Sequence, residues 1–443
     1  IYTGSPVMCN TGAGIRIKEI LNESEGLQIQ KRKFIYKNGL LMSEPRFHYI
    51  WNVSHFEMND DGIHQYQAQY IHGTSSSLIP YSNSASGAPV GYGCVSEELW
   101  DTTFKGTTSY YFNNEADEIN PEYLSIIPNI PLLSHTNNGL LTAKYYIDNS
   151  KRILRQEEYT YSNVELRAIT GLKMFAPPME NQHFGLYYYN IPSEWWKLDS
   201  QTVTEYHGNK KHSKTTDYLY NNVNYLPSCI QKRNSDGRLS IHNITYANSS
   251  SIGILGKMQT AHMFNIPIEE TESINTSIVS RKIHTYKEEQ NKILLQDLSV
   301  AKGNTTPQLR IKYLNYDCYG NIAYYIKDNI EHVVYLWGYN GQYPIAKIEN
   351  ATYSAVQTAL SGVTPDALAK QPHPNMDQVN ALRTALPKAL IHTYTYRPHV
   401  GIIAETDSKN VTIHYEYDSM NRLKYIRDMY GNILKSFDYQ YKH

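Results

Sequence analysis

The seventeen histidines are the first residues to question for chemistry. The densest group is His48, His55, His64 and His72, and the chain contains no HExxH and no evenly spaced ligand set. Those intervals fit neither one face of a helix nor a zinc finger, so no metal site is expected. Asn59-Asp60-Asp61-Gly62 has the acidity of a calcium loop but lacks the alternating ligands and the closing Glu, and it reads as a turn. Gly12-Ala13-Gly14 lacks the strand-to-helix setting of a dinucleotide loop. Gly253-Ile254-Leu255-Gly256-Lys257 has neither the spacing nor the Ser/Thr of a phosphate loop. There is no Gly-x-Ser-x-Gly elbow. Carboxylates are plentiful, but those in recurrent positions sit where turns need them. A glycosidase-type acid pair stays open, because such pairs are set in space. The sequence therefore implies no catalytic, cofactor-binding or metal residues. One binding alternative is a flat platform for sugar rings built from Tyr187, Tyr188, Tyr189, Trp195 and Trp196. The alternative role for those rings is to cap or brace a sheet.

Bulk properties narrow the classes further. The chain has 443 residues, 41 Lys plus Arg and 42 Asp plus Glu, giving a net charge of −1. Nucleic-acid binding needs clustered cations, and no long charge run is present. No stretch approaches the eighteen or so apolar residues of a membrane span. The first residue is Ile1, so export information is expected upstream of it. Cys9, Cys94, Cys229 and Cys318 form no CxxC pair. They read as free thiols, with one or two long-range disulfides left open.

The elements that must carry these residues are written in a repeat. Tyr394-Thr395-Tyr396 is followed by Gly401 and Asp407. Tyr415-Glu416-Tyr417-Asp418 is followed by Asn421-Arg422-Leu423, Asp428 and Gly431-Asn432-Ile433. Both Tyr396 to Tyr417 and Asp407 to Asp428 span 21 residues. Looser copies run upstream through Tyr313–Tyr339, Tyr218–Tyr246 and Tyr145–Tyr161 to Arg16–Tyr36. A fixed period of this size implies an array of one small supersecondary unit. Alternation such as Tyr415-Glu416-Tyr417 is the period of a half-buried strand, and Asp-x-x-Gly/Asn supplies the turn. The unit is thus a β-hairpin, which must stack because one hairpin is barely stable alone. The 40 tyrosines fit broad, half-exposed sheet faces.

Two segments break the pattern. One is loop-rich, from Ser75 to Gly93. The other has helical spacing at Tyr353, Val356 and Leu360 and again at Val379, Leu382 and Leu386. It reads as a helical hairpin turning at Gln371-Pro372-His373-Pro374, either a plug on the sheet or a projecting knob for a partner. The expected organisation is loose β-hairpin repeats over 1–75, a loop-rich seam over 76–95 and a hairpin array over 96–345. A helical insertion over 346–390 and terminal repeats over 391–443 complete it.

The run from Tyr417 to Ile433 resembles the YD repeat of bacterial Rhs proteins, and is similar to the shells of insecticidal toxin complexes and teneurins. Tyr335–Tyr353, Tyr394–Ile402, Pro89–Glu97 and Asn138–Ile147 look like the long YD-repeat proteins of Bacteroidetes. The resemblance is close after about residue 310 and looser before it. It implies a mainly β fold, hairpins wound into a spiral or partly wound sheet. It also implies a non-catalytic scaffold in a larger exported protein at the bacterial surface or outside the cell. Partners would be other parts of that protein, a surface complex or surface glycans. A shell fragment of a toxin-delivery protein and a carbohydrate-binding adhesin are the alternatives. The Asp-Pro-x-Gly-Arg run of the Rhs core is absent from this sequence, which puts toxin release in doubt.

Overall fold

The computed structural model describes residues 15–24, 27–42, 48–59, 61–74, 90–116, 136–175 and 185–439. The protein is mainly antiparallel β. Among the described residues, 22 strands belong to one sheet and two form a separate pair. The chain divides into two compact units, one of residues 1–219 and 230–239, the other of 220–229 and 240–443.

The first unit carries β1 (Glu19–Ser24), β2 (Leu27–Leu41), β3 (His48–Asn59), β4 (Gly62–Thr74) and β5 (Val90–Trp100). It continues with β6 (Phe104–Phe112), β7 (Leu141–Asp148), β8 (Ile153–Phe175), β9 (Gly185–His207) and β10 (Lys210–Tyr220). Here β2 pairs with both β1 and β5, so β3 and β4 form a hairpin of their own. From β5 to β10 each strand pairs with the next. Of the seam expected at 76–95, residues 76–89 lie outside the described residues, and 90–95 open β5.

After β11 (Pro227–Arg233), the second unit is a meander interrupted by helices. Its strands are β12 (Leu239–Tyr246), β13 (Pro267–Ile274), β14 (Ser277–Glu289), β15 (Lys292–Lys302) and β16 (Gln308–Tyr316). Then come β17 (Ile322–Lys327), β18 (Glu331–Gly338), β19 (Tyr343–Glu349), β20 (Leu390–Arg397) and β21 (Gly401–Thr406). The last are β22 (Thr412–Tyr417), β23 (Leu423–Arg427) and β24 (Ile433–Ser436). Every strand from β12 to β23 pairs antiparallel with its successor.

Helix α1 (Gly253–Thr260) follows β12 and has no counterpart in the sequence pattern, because its two glycines disguise the apolar spacing. Met258 is its buried residue, and the Gln259 amide donates to the carbonyls of Ala247 and Ser250. The expected helical hairpin is three helices: α2 (Tyr353–Ala359), α3 (Pro365–Ala369) and α4 (Met376–Ala385). Helix α3, five residues long, is too short to show a period. Each start is capped by a polar side chain, through Thr352, Thr364 and Asn375. Val356, Leu368, Val379 and Leu382 pack into one core with Val334, Leu336, Ile345, Ile348 and Ile391 of the sheet. The insertion is therefore a plug on the sheet rather than a free knob.

Candidate functional site

The chemistry-bearing side chains of the repeat are Asp and Tyr, and the fold engages both. At Asp418 the main-chain N–H donates to the Arg422 carbonyl, and the Asn421 N–H donates back to the Asp418 carbonyl. The Asp418 carboxylate accepts the N–H groups of Met420 and Arg422, each at 2.9 Å. The same frame recurs at Asp428, Asp407, Asp317 and Asp148. In all five the third residue after Asp has a left-handed backbone: Lys151, Gly320, Asn410, Asn421 and Gly431. That is why Gly and Asn recur there. The Arg422 side chain holds the Asp418 carboxyl below its ordinary range, and the Asn432 amide does so for Asp428. Main-chain N–H groups, of Arg152 and Val411 first, do so for Asp148 and Asp407. All five are turn anchors, and the four with lowered pKa are poor general acids.

Several tyrosines, among them Tyr316 and Tyr417 directly before an Asp turn, make a second, longer link: the hydroxyl donates to a main-chain carbonyl 15 to 21 residues earlier. Tyr417 reaches Ile402 at 2.9 Å, Tyr439 Leu423 at 3.0 Å, Tyr286 Pro267 at 3.2 Å and Tyr246 Pro227 at 2.8 Å. Tyr316 reaches Leu295. In the first unit, Tyr161 reaches Leu141 at 2.9 Å and Tyr36 reaches Ile17 at 2.8 Å. The Trp337 indole N–H substitutes for the phenol, donating to Ile322 at 2.9 Å. A register shift falls at Tyr161, Tyr246, Tyr286, Tyr316, Trp337, Tyr396 and Tyr417, where the following strand carries one extra residue. Such a bulge kinks and twists the ladder locally, which aims the ring across its neighbour. At Tyr396, where the helices interrupt the array, ring packing on Tyr343 at 4.7 Å takes the latch's place. Burial raises the phenols of Tyr286, Tyr316 and Tyr396 to about 12.

Few other groups converge. On β12, β13 and β14, Glu270 stands 3.2 Å from His242 and 3.8 Å from His284, bracing three strands. In the first unit buried Glu157 accepts from Tyr159 at 2.5 Å and pairs with Arg155 at 2.8 Å. Among the described residues searched, no group of three or more His, Cys, Asp and Glu gathers as a metal set. The ladder of β3 and β4 places His48 and His72 towards one end and His55 and His64 towards the other. Asp61 and Gly62 form the turn between them, and Gly12-Ala13-Gly14 lies outside the described residues. Gly253–Lys257 is the first part of α1. Cys94 and Cys318 carry free thiols, and Cys9 lies outside the described residues. No helix among the described residues is long and apolar enough to cross a membrane.

The five aromatic residues proposed as a platform all lie on β9. Neighbouring residues of a strand point to opposite faces. Trp195 and Trp196 are therefore divided between two faces, and one flat platform of all five does not form. The Trp196 indole N–H donates to Thr136 at 2.7 Å and Glu194 at 3.3 Å, while Tyr188 is exposed. Sequence reasoning missed the exposed aliphatics opposite them on β8, namely Leu166, Ile169 and Leu172. The available signal was apolar residues at both parities of one strand, which no half-buried strand needs.

No protein-family model matches the chain, and no curated protein does. Among solved structures, TcdB2-TccC3 without its hypervariable C-terminal region is similar at a TM-score of 0.46 and 8% identity, over 90% of this chain and 21% of that one. TcdB2-TccC3-TEV is similar at a TM-score of 0.43 and 7% identity, over 90% and 21%. A Photorhabdus luminescens Tc holotoxin pore is similar at 0.28 and 9% identity, over 79% and 19%. The chain spans about a fifth of the length of the chains it matches.

Proposed function

We propose that this chain is a structural segment of a larger bacterial YD-repeat protein, exported to the cell surface or beyond. It acts by holding shape rather than by turning over a substrate. The observation that carries this reading is the use the fold makes of its recurrent reactive groups. The Asp carboxylates of the repeat accept turn N–H groups, and the repeat tyrosines donate to neighbouring strands. The partners on this reading are further repeats of the same protein or a surface complex. The test is surface proteolysis of intact cells expressing the complete gene with an epitope in the exposed turn at Ser235–Gly237. Loss of the epitope without lysis is expected. An epitope protected until lysis and recovered with the cytoplasmic fraction would overturn it.

The second reading is a wall that encloses cargo. It is favoured by the unequal faces of the second unit, one buried under α2–α4 and the other lined by half-buried Tyr313, Tyr325, Tyr335, Tyr394 and Tyr415. Electron microscopy of the complete protein separates a closed cavity from an open array.

A further inference from the structure

Two histidines meet at the tip of the β9–β10 hairpin. His207 closes the ladder opposite Lys210, and the rungs run unbroken from there to Asp217 opposite Ser200. Gly208, at φ 62°, opens the two-residue turn, a conformation glycine adopts without strain. Directly opposed residues of an antiparallel pair share a face, and so do residues two apart on one strand. His212 lies two residues beyond Lys210, so it stands diagonally across from His207 on the same face. Glu205 is directly opposite His212 and shares that face. The two imidazole rings are 6.1 Å apart, centre to centre, and both residues are exposed. Other imidazoles are used within the fold. His242 and His284 lean on Glu270, and His332 meets the Tyr324 hydroxyl at 2.6 Å. Among the described residues, neither the His207 ring nor the His212 ring has a hydrogen-bond or ion-pair partner.

Imidazole is the commonest side-chain ligand of metal ions. An ion held at about 2.0–2.1 Å from each ring nitrogen brings two ring centres to roughly 5–6 Å, so a separation of 6.1 Å needs only side-chain rotation. The paired backbone fixes where both side chains start. We infer that His207 and His212 together bind one divalent transition-metal ion, with water completing its coordination. Glu205 stands 3.7 Å from Arg155 and is left out of the ligand set. The site thus has two protein ligands, fewer than a structural or catalytic zinc centre. Two imidazoles suit copper, nickel and zinc, and copper(II) binds such a set most tightly. Calcium and magnesium take oxygen ligands and are not expected. The Lys210 ammonium on the same face works against a cation, so binding is expected in the micromolar range rather than that of a closed centre. The inference stands independently of the scaffold reading.

The test is calorimetric titration of the purified, untagged and chelator-stripped chain with copper(II), nickel(II) and zinc(II) salts. Copper(II) is expected to bind most tightly, and electron paramagnetic resonance of its complex to show two coordinated nitrogens. His207→Gln and His212→Gln are each expected to weaken this site at least roughly tenfold and leave one nitrogen, because the second bond of a two-ligand site is intramolecular. His212→Ser combined with Ser213→His keeps the number of histidines but moves one to the other face. It is expected to cost as much as His212→Gln. Lys210→Glu removes the opposing charge and is expected to tighten binding several-fold. Circular dichroism confirms that each variant is folded. No binding of copper(II) below about 1 mM overturns the inference, as does a spectrum with a single nitrogen. So does binding indifferent to His207→Gln and His212→Gln, which would place the ion elsewhere, or full affinity in the transposed variant.

Discussion

In the second unit Val333, Val334, Leu336, Ile345 and Ile348 are at most 1% exposed. In the first, the buried positions include Ser96, Ser109, Glu157, Thr204 and Thr216. The repeat is the same in both: Asp148 and Asp418 make the same turn, and Tyr161 and Tyr417 the same latch. What differs is how the sheet faces are finished. The second unit covers one face with α2–α4 and gains an aliphatic core. The first bridges its strands with polar pairs, such as Ser96 to Ser109 at 2.8 Å and Thr204 to Ser213 at 3.0 Å. Repeat arrays derive their stability from each unit and its neighbours. The comparison therefore predicts that the two units fail for different reasons, and native-state hydrogen exchange can read each separately.

The largest effect is expected from alkali. Burial holds Tyr286, Tyr316 and Tyr396 protonated to about 12. In the unfolded chain tyrosine loses its proton near about pH 10. Between those values the unfolded state binds fewer protons, so stability falls as pH rises. It is fully present below about pH 10 and lost through about pH 12. Denaturant midpoints for the second unit should be flat to about pH 9 and then drop steeply, since several latches release together. A midpoint unmoved to about pH 12 would mean that the aliphatic core alone holds this unit.

Leu336→Ala comes next. Leu336 is fully buried, and its truncation is expected to cost about 2–5 kcal/mol. Protection should fall in β18–β20 and α2–α4 and stay unchanged in β5–β8. In the first unit the matching blow is Glu157→Gln. Burial works against the Glu157 charge, but Tyr159 and Arg155 outweigh it and lower its pKa. Removing that charge at constant shape is expected to cost about 1.5–3 kcal/mol. If Glu157→Gln is silent, the polar pairs of the first unit are ornament, and its stability rests on the latches.

The hairpin unit and its Asp-anchored turns were legible because both are local. Period-2 alternation and a residue suited to left-handed backbone are written within about ten positions of each other. The latch was not legible, since the carbonyl that Tyr286 meets lies 19 residues away and is chosen by strand register and by the bulge at Tyr286. Helix α1 hid behind its glycines, and α3 behind its length. The aromatic residues of β9 were visible as a cluster, but the division of Trp195 and Trp196 between two faces needed the knowledge that one strand runs through both. The length of β8 was hidden too, because no turn signal marks where its neighbours stop.

The smallest effect tests the turn that both units share. At the third position after Asp, the second unit has Gly320, Asn410, Asn421 or Gly431, while the first has Lys151 at φ 63°. A side chain in the left-handed region costs about 1–2 kcal/mol. Glycine removes that cost but loses about 0.4–1 kcal/mol through the freer unfolded chain. Relief of strain outweighs the entropy loss, so Lys151→Gly should stabilise by about 0.5 kcal/mol. The converse change, Gly431→Lys at φ 88°, should destabilise by a similar or larger amount, although nothing lies within 4 Å of the added Cβ. Thermal midpoints that move in opposite directions mean that one backbone frame governs the turns of both units. If Lys151→Gly destabilises instead, the Asp148 turn holds its shape by the Arg152–Asp148 pair at 2.8 Å rather than by the frame, and the two units differ in their turns as well as their cores.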